Sequence, residues 1–78
     1  MQSVFLITTE LEYEGPFIDG VYDSLEAAVD NANEHSGMYT FVSEYTINSD
    51  KIVRKWRVQN GIARSLKKKD QFNWEWDP

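Results

Sequence analysis

Asp23-Ser24-Leu25-Glu26-Ala27-Ala28-Val29-Asp30-Asn31-Ala32 is the stretch of this chain that reads as a helix, and the fold follows from what flanks it. Asp23 is positioned to accept from the N–H of residue 26, and the Glu26 side chain to reach back, as in a capping box. Leu25, Ala28, Val29 and Ala32 recur at helical spacing and form a narrow apolar stripe. Its alanines let the helix sit close to a sheet. Ser36-Gly37 is expected to close it, with Gly37 as the C-cap. A helix this short, with Asn31 and Asn33 in it, needs tertiary packing to persist.

Strand patterns lie on both sides. Upstream, Val4 to Tyr13 is rich in β-branched and aromatic residues, with Phe5, Ile7, Thr9, Leu11 and Tyr13 on one face. The other face starts with Val4 and Leu6 and continues as Thr8, Glu10, Glu12 and Glu14. Gly15-Pro16 breaks the strand in a turn. Phe17 to Tyr22 returns antiparallel, and Gly20 within it points to a bulge or a close backbone approach. Downstream, Met38 to Ile47 alternates, with Tyr39, Phe41, Tyr45 and Ile47 on one face. Asn48-Ser49-Asp50 is a turn cluster, Lys51 to Val58 a fourth strand, and Asn60-Gly61 a strong hairpin signal. Phe72, Trp74 and Trp76 alternate with polar residues in a short final strand. The order β-β-α-β-β-β predicts an α+β fold, an antiparallel sheet of about five to six strands with one helix on one face.

The register of the second hairpin can be argued in two ways. A two-residue loop sets Val58 opposite Ala63 and Arg57 opposite Arg64, a like-charge pair. A three-residue loop of Gln59, Asn60 and Gly61, with a G1 bulge, pairs Val58 with Ile62. It aligns Ile52, Trp56, Val58, Ile62 and Leu66 on one face and Lys55, Arg57 and Lys67 on the other. Because the second register separates apolar from charged residues, it is the expected one.

Seventy-eight residues make a single domain. A domain of this size buries only about 60% of the surface its unfolded chain exposes. The chain holds no cysteine, which excludes disulfides, a thiolate metal site and a Cys nucleophile. Reinforcement falls to Trp56, Trp74, Trp76 and the Tyr and Phe residues, each able to bury roughly 150–250 Å². These rings are expected to form most of the core. The apolar run Val4-Phe5-Leu6-Ile7 has no basic region before it and is far short of the about 20 residues that cross a bilayer. A soluble, cytoplasmic protein in a reducing compartment is expected.

Charge is strongly polarised. Residues 1–50 hold ten carboxylates and no Lys or Arg, a formal −10; residues 51–78 hold eight bases and three carboxylates, a formal +5. Such a chain presents two opposite electrostatic surfaces or folds one half against the other.

Candidate residues for chemistry are few. His35, the only histidine, sits beside Ser36, and sequence neighbours at a helix end do not face each other; interaction with terminal helix carbonyls is the better reading. Glu10, Glu12 and Glu14 repeat at about 6.6 Å along one strand face, too wide for a shared small cation without other ligands. A regular carboxylate row can instead imitate a phosphate backbone. Arg54, Lys55, Arg57, Arg64, Lys67, Lys68 and Lys69 interleave charge with Trp56, the ingredients of nucleic-acid binding on a sheet, although Trp56 falls on the apolar side of the expected register. Trp74 and Trp76 either complete the core or act as interface anchors on an edge strand. Gly-rich phosphate loops, zinc spacings, EF-hand loops and nucleophile elbows do not occur. No cofactor or metal is expected.

Residues 4–47 resemble a group of small uncharacterised bacterial and phage proteins. The likeness rests on a strand like Val4-Phe5-Leu6-Ile7-Thr8-Thr9, a segment like Gly20-Val21-Tyr22-Asp23-Ser24-Leu25-Glu26-Ala27-Ala28, and a strand like Tyr39-Thr40-Phe41-Val42. The resemblance implies a small accessory protein acting by binding and carries over no functional residue. The leading expectation is therefore a non-enzymatic protein-binding module, with a phage-encoded accessory or inhibitor directed at a host protein as its form. Its contact would be the acidic face (Glu10, Glu12, Glu14) or the aromatic edge (Trp74, Trp76). The alternative is nucleic-acid binding through Arg54, Lys55, Arg57 and Lys67.

Overall fold

The computed structural model describes residues 2–11, 17–32, 38–69 and 74–76, with only the backbone considered at Leu11, Met38 and Trp76. The chain is an α+β protein with elements β1 (Ser3–Leu11), β2 (Phe17–Tyr22), α1 (Leu25–Asn31), β3 (Met38–Thr46), β4 (Ile52–Gln59), β5 (Ile62–Lys68) and β6 (Trp74–Trp76). The strands form one antiparallel sheet in the order β2-β1-β3-β4-β5-β6. The acidic first half supplies β2, β1 and β3, and the basic second half supplies β4, β5 and β6. The charge split of the sequence therefore becomes a split across the width of the sheet.

The first strand pair carries the expected irregularity. Ile7 faces Gly20 and Thr8 faces Ile18, so Asp19 is the extra residue of a bulge. Gly20 also allows a close approach: a Cβ there would lie 2.8 Å from the Tyr22 ring. The Thr9 hydroxyl donates to the Asp19 carboxylate, which satisfies a buried polar side chain. Residues 12–16, with the expected Gly15-Pro16 turn, lie outside the described residues.

The helix differs from the sequence reading at both ends. Ser24, not Asp23, is the N-cap: its φ of −149° is extended and its Oγ accepts from Ala27 N at 3.1 Å. Glu26 lies in the first turn, where a carboxylate favours the helix dipole, rather than closing a capping box. At the other end Ala32 is already extended at φ −72°, ψ 130°, and the helix stops well before Ser36-Gly37. The Asn31 amide donates to Ala27 O at 2.8 Å, and the last backbone bond runs from Ala32 N to Val29 O at 3.2 Å. Low helix propensity at Asn31 and Asn33 leaves little to carry the helix onward. His35, Ser36 and Gly37 lie outside the described residues.

Alpha1 packs over β1, β2 and β3. Beneath it Ile7, Ala28, Val42, Trp56 and Val58 form the buried cluster, with Phe5, Tyr22, Leu25, Val29, Ala32 and Ala63 against it. Phe5 and Trp56 meet at 6.0 Å with their planes tilted by 41°. Among the described residues Trp56 is the one ring in the buried cluster, and Phe5 and Tyr22 pack against it; Tyr13, Phe72 and the Trp76 side chain lie outside the described residues. Fully burying Ile7 or Val42 contributes about 1.5–3 kcal/mol each.

The largest departure is the register of the β4–β5 hairpin. Gln59 faces Ile62, Val58 faces Ala63 and Arg57 faces Arg64. This is the two-residue loop, with Asn60 at φ 56° and Gly61 at φ 75°, the two positive values of a type I′ turn. The turn matches the right-handed twist of its strands, and Val58 and Ala63 still meet on the helix side. Two consequences correct the sequence reading. Ile62 and Leu66 move away from Trp56 to the opposite face of the sheet, and Lys67 moves to the helix side.

Two expectations follow for stability. Ser24→Ala should lower the unfolding free energy by about 1 kcal/mol in a chemical denaturation series, and Asp23→Ala by clearly less. The reverse order would reassign the cap. Gly61→Ala meets no atom within 4 Å, so its loss, about 1–2 kcal/mol, should come from the left-handed backbone alone.

Candidate functional site on the open face of the sheet

Directly paired residues share a face, so the ladder assigns every strand position. Opposite the helix lie Val4, Leu6, Thr8 and Glu10 of β1, Ile18 and Val21 of β2, and Tyr39, Phe41, Ser43 and Tyr45 of β3. Lys55 and Arg57 of β4, Ile62, Arg64, Leu66 and Lys68 of β5, and Trp74 of β6 continue that face. Among the described residues no element covers it. Large apolar side chains stand open there: Ile18 is 65% exposed, Val21 59%, Tyr39 46% and Ile62 64%.

Aromatic and cationic groups are interleaved on this face. Lys55 Nζ lies 4.6 Å from the centroid of the Phe41 ring, and the Arg57 guanidinium 4.9 Å from that of Tyr39. Each is a cation–π contact, and each joins a ring from the acidic half to a base from the basic half. Next to them a concavity of about 480 Å³ is lined by Glu10, Tyr39, Phe41, Arg57, Leu66, Trp74 and Glu75. That volume is within the about 300–1,000 Å³ of ligand sites.

The electrostatics of the face are one-sided. Its paired strands carry Lys55, Arg57, Arg64 and Lys68 against Glu10. The protein is acidic as a whole, yet among the described residues of the paired strands this face carries more cations than carboxylates. Arg57 and Arg64 are direct cross-strand neighbours, two like charges side by side. Lys67 and Glu75 pair on the helix side at 3.5 Å, both about half exposed, and stabilise β6 against β5 only modestly.

Candidates separated in the sequence converge here. Glu10, Arg57 and Trp74 line one concavity, and Lys55 lies beside it. Arg54 faces Glu44 on the helix side, where Lys67 also lies, so those two leave the expected basic patch. Trp76 contributes backbone to β6 opposite Leu66, while Glu12 and Glu14 are outside the described residues. Sequence reasoning missed Tyr39, Phe41 and Leu66 as site residues, and held Arg64 and Lys68 only as members of the basic run. The alternation of Tyr39 and Phe41 was visible; the side of the sheet they would occupy was not.

Among the described residues no group of three or more His, Asp or Glu side chains is arranged to hold a metal, and no helix is long and apolar enough to cross a membrane. Comparison with known protein families, curated proteins and solved structures returns no match.

The like-charge pair yields a test of the ladder. A double-mutant cycle between Arg57→Ala and Arg64→Ala should give a repulsive coupling of roughly 0.2–1 kcal/mol in chemical denaturation. In the three-residue-loop register Arg64 would not face Arg57, and the coupling should vanish.

Proposed function

We propose that this protein is a small non-enzymatic binding module whose contact surface is the open face of the sheet and whose ligand is a single-stranded nucleic acid. One observation carries the reading: Tyr39, Phe41 and Trp74 lie among Lys55, Arg57, Arg64 and Lys68 on a face that no described element covers. Cations draw a phosphate backbone to the sheet, and aromatic rings or guanidinium planes give unstacked bases a surface to stack on. A bound polyanion would also relieve the Arg57–Arg64 repulsion. The acidic helix side would repel the same ligand and restrict it to one face. Activity in the cytoplasm fits this role.

A protein partner is the second reading. Ile18, Val21 and Ile62 stand exposed at the margins of the face, where a single strand has little use for aliphatic surface. A phage accessory protein that covers a host protein would use them, with Trp74 on edge strand β6 as an anchor.

The two readings separate by salt and by mutation. For a labelled single strand of about ten nucleotides, the logarithm of affinity should fall linearly with that of salt concentration, by about 0.7 per phosphate contacted. Lys55→Ala and Arg57→Ala should each flatten that slope while Arg54→Ala leaves it unchanged. Absence of binding at low salt sinks the nucleic-acid reading. A protein captured from lysate regardless of nuclease, and lost with Ile18→Asp or Val21→Asp, would put the second reading in its place.

A further inference from the structure

Glu10 is the anomaly of the open face. A carboxylate bordering the concavity of a cationic surface repels phosphate and lowers affinity for a polyanion unless its acceptor oxygens meet donors on the ligand. Glu75 also borders the concavity, but its carboxylate pairs with Lys67 at 3.5 Å on the helix side. Glu10 faces Tyr39 across the β1–β3 ladder, and Tyr39 lies under the Arg57 guanidinium. A planar group entering the concavity would thus meet the rings of Tyr39, Phe41 and Trp74, the apolar side chain of Leu66, and Glu10 at the border.

The donor pattern that suits a carboxylate is two parallel N–H groups on one edge of a plane. Among the common bases guanine has this on its Watson–Crick edge, where N1–H and the N2 amine point the same way. Adenine and cytosine offer an amine beside an acceptor, which a carboxylate repels, and uracil or thymine offers a single N–H between two carbonyls. We infer that the concavity is a base-reading pocket in which Glu10 accepts from N1–H and the N2 amine of one unstacked guanine of a single strand, stacked against Tyr39, Phe41 and Trp74. This rests on the nucleic-acid reading above and adds a specificity to it. Lys55, Arg57, Arg64 and Lys68 hold the flanking phosphates in any sequence; Glu10 discriminates.

The test compares oligothymidylates of about ten nucleotides carrying at the centre guanine, hypoxanthine or thymine, titrated against the full chain. Guanine should bind roughly 5- to 150-fold more tightly than thymine, with hypoxanthine, which lacks the N2 amine, in between. Glu10→Gln keeps the size of the side chain but removes the charge and one acceptor. It should bring the guanine and thymine strands to within about 2-fold of each other while tightening the thymine strand through lost repulsion. An unchanged denaturation midpoint confirms that the variant is folded.

The outcomes are distinct. If all three strands bind equally, the base-reading pocket is wrong and the nucleic-acid reading stands. If none binds, that reading fails and this one with it. If Glu10→Gln tightens every strand by the same factor, Glu10 merely offsets neighbouring cations and reads no base. If guanosine monophosphate binds as tightly as the guanine strand, the pocket takes a free nucleotide and the strand proposal is overturned.

Discussion

Asn60 and Gly61 both hold positive φ, and a two-residue turn of that kind sets Gln59 opposite Ile62. Because side chains alternate with a period of two, that constraint assigns a face to every residue of β5 and, through β5, to every residue of β6. Ala63 is sent to the helix side, against the buried cluster, and Ile62, Arg64, Leu66 and Lys68 to the other side, where Trp74 joins them. A one-residue slip would have put Ile62 and Leu66 beside Trp56 and separated Leu66 and Trp74 from Tyr39 and Phe41. The open face as a cation–aromatic surface depends on this turn.

The helix is the second determinant. Its seven residues cover only the strands nearest to it, and Ser24 must cap it because so short a segment gains little from propagation. The buried cluster is correspondingly small, centred on Ile7, Val42, Ala28 and Trp56. Among the described residues no second layer of secondary structure lies over the far side, and Ile18, Val21, Tyr39 and Ile62 remain in contact with solvent. Cations lying over Phe41 and Tyr39 moderate that exposure, since their methylene stems cover apolar area while the charged heads stay hydrated.

Charge and topology reinforce each other at the β3–β4 junction. There the acidic half meets the basic half along a full ladder: Glu44 faces Arg54 on the helix side, and Phe41 and Ser43 face Arg57 and Lys55 on the open side. Attraction between the halves favours this pairing over alternatives that would bring like charges together. Among the described residues of the paired strands Glu10 is the one carboxylate on the open face, so an acidic protein keeps a cationic patch there. Net charge is therefore a poor guide to what this molecule attracts; the distribution over faces decides it.

The sequence by itself determined the elements and their order. A capped apolar stripe at helical spacing, alternating runs on both sides of it and the Asn-Gly turn all act locally, so the α+β class and the Gly20 irregularity were legible. It determined also that bases and carboxylates occupy different halves. Its errors lay where two local preferences compete. Asp23 and Ser24 are both good caps, and backbone geometry chose Ser24; the pattern of apolar residues argued for one hairpin register, and the twist of the strands imposed the other. Tertiary structure alone decided which face of the sheet the helix covers. The alternation of Tyr39, Phe41 and Tyr45 has the same appearance whether those rings are buried or open. Only the long-range pairing of β1, β3 and β4 brings Glu10, Tyr39, Phe41, Arg57 and Trp74 together, because cross-strand neighbours are set by register over the whole sheet and not by any spacing along the chain.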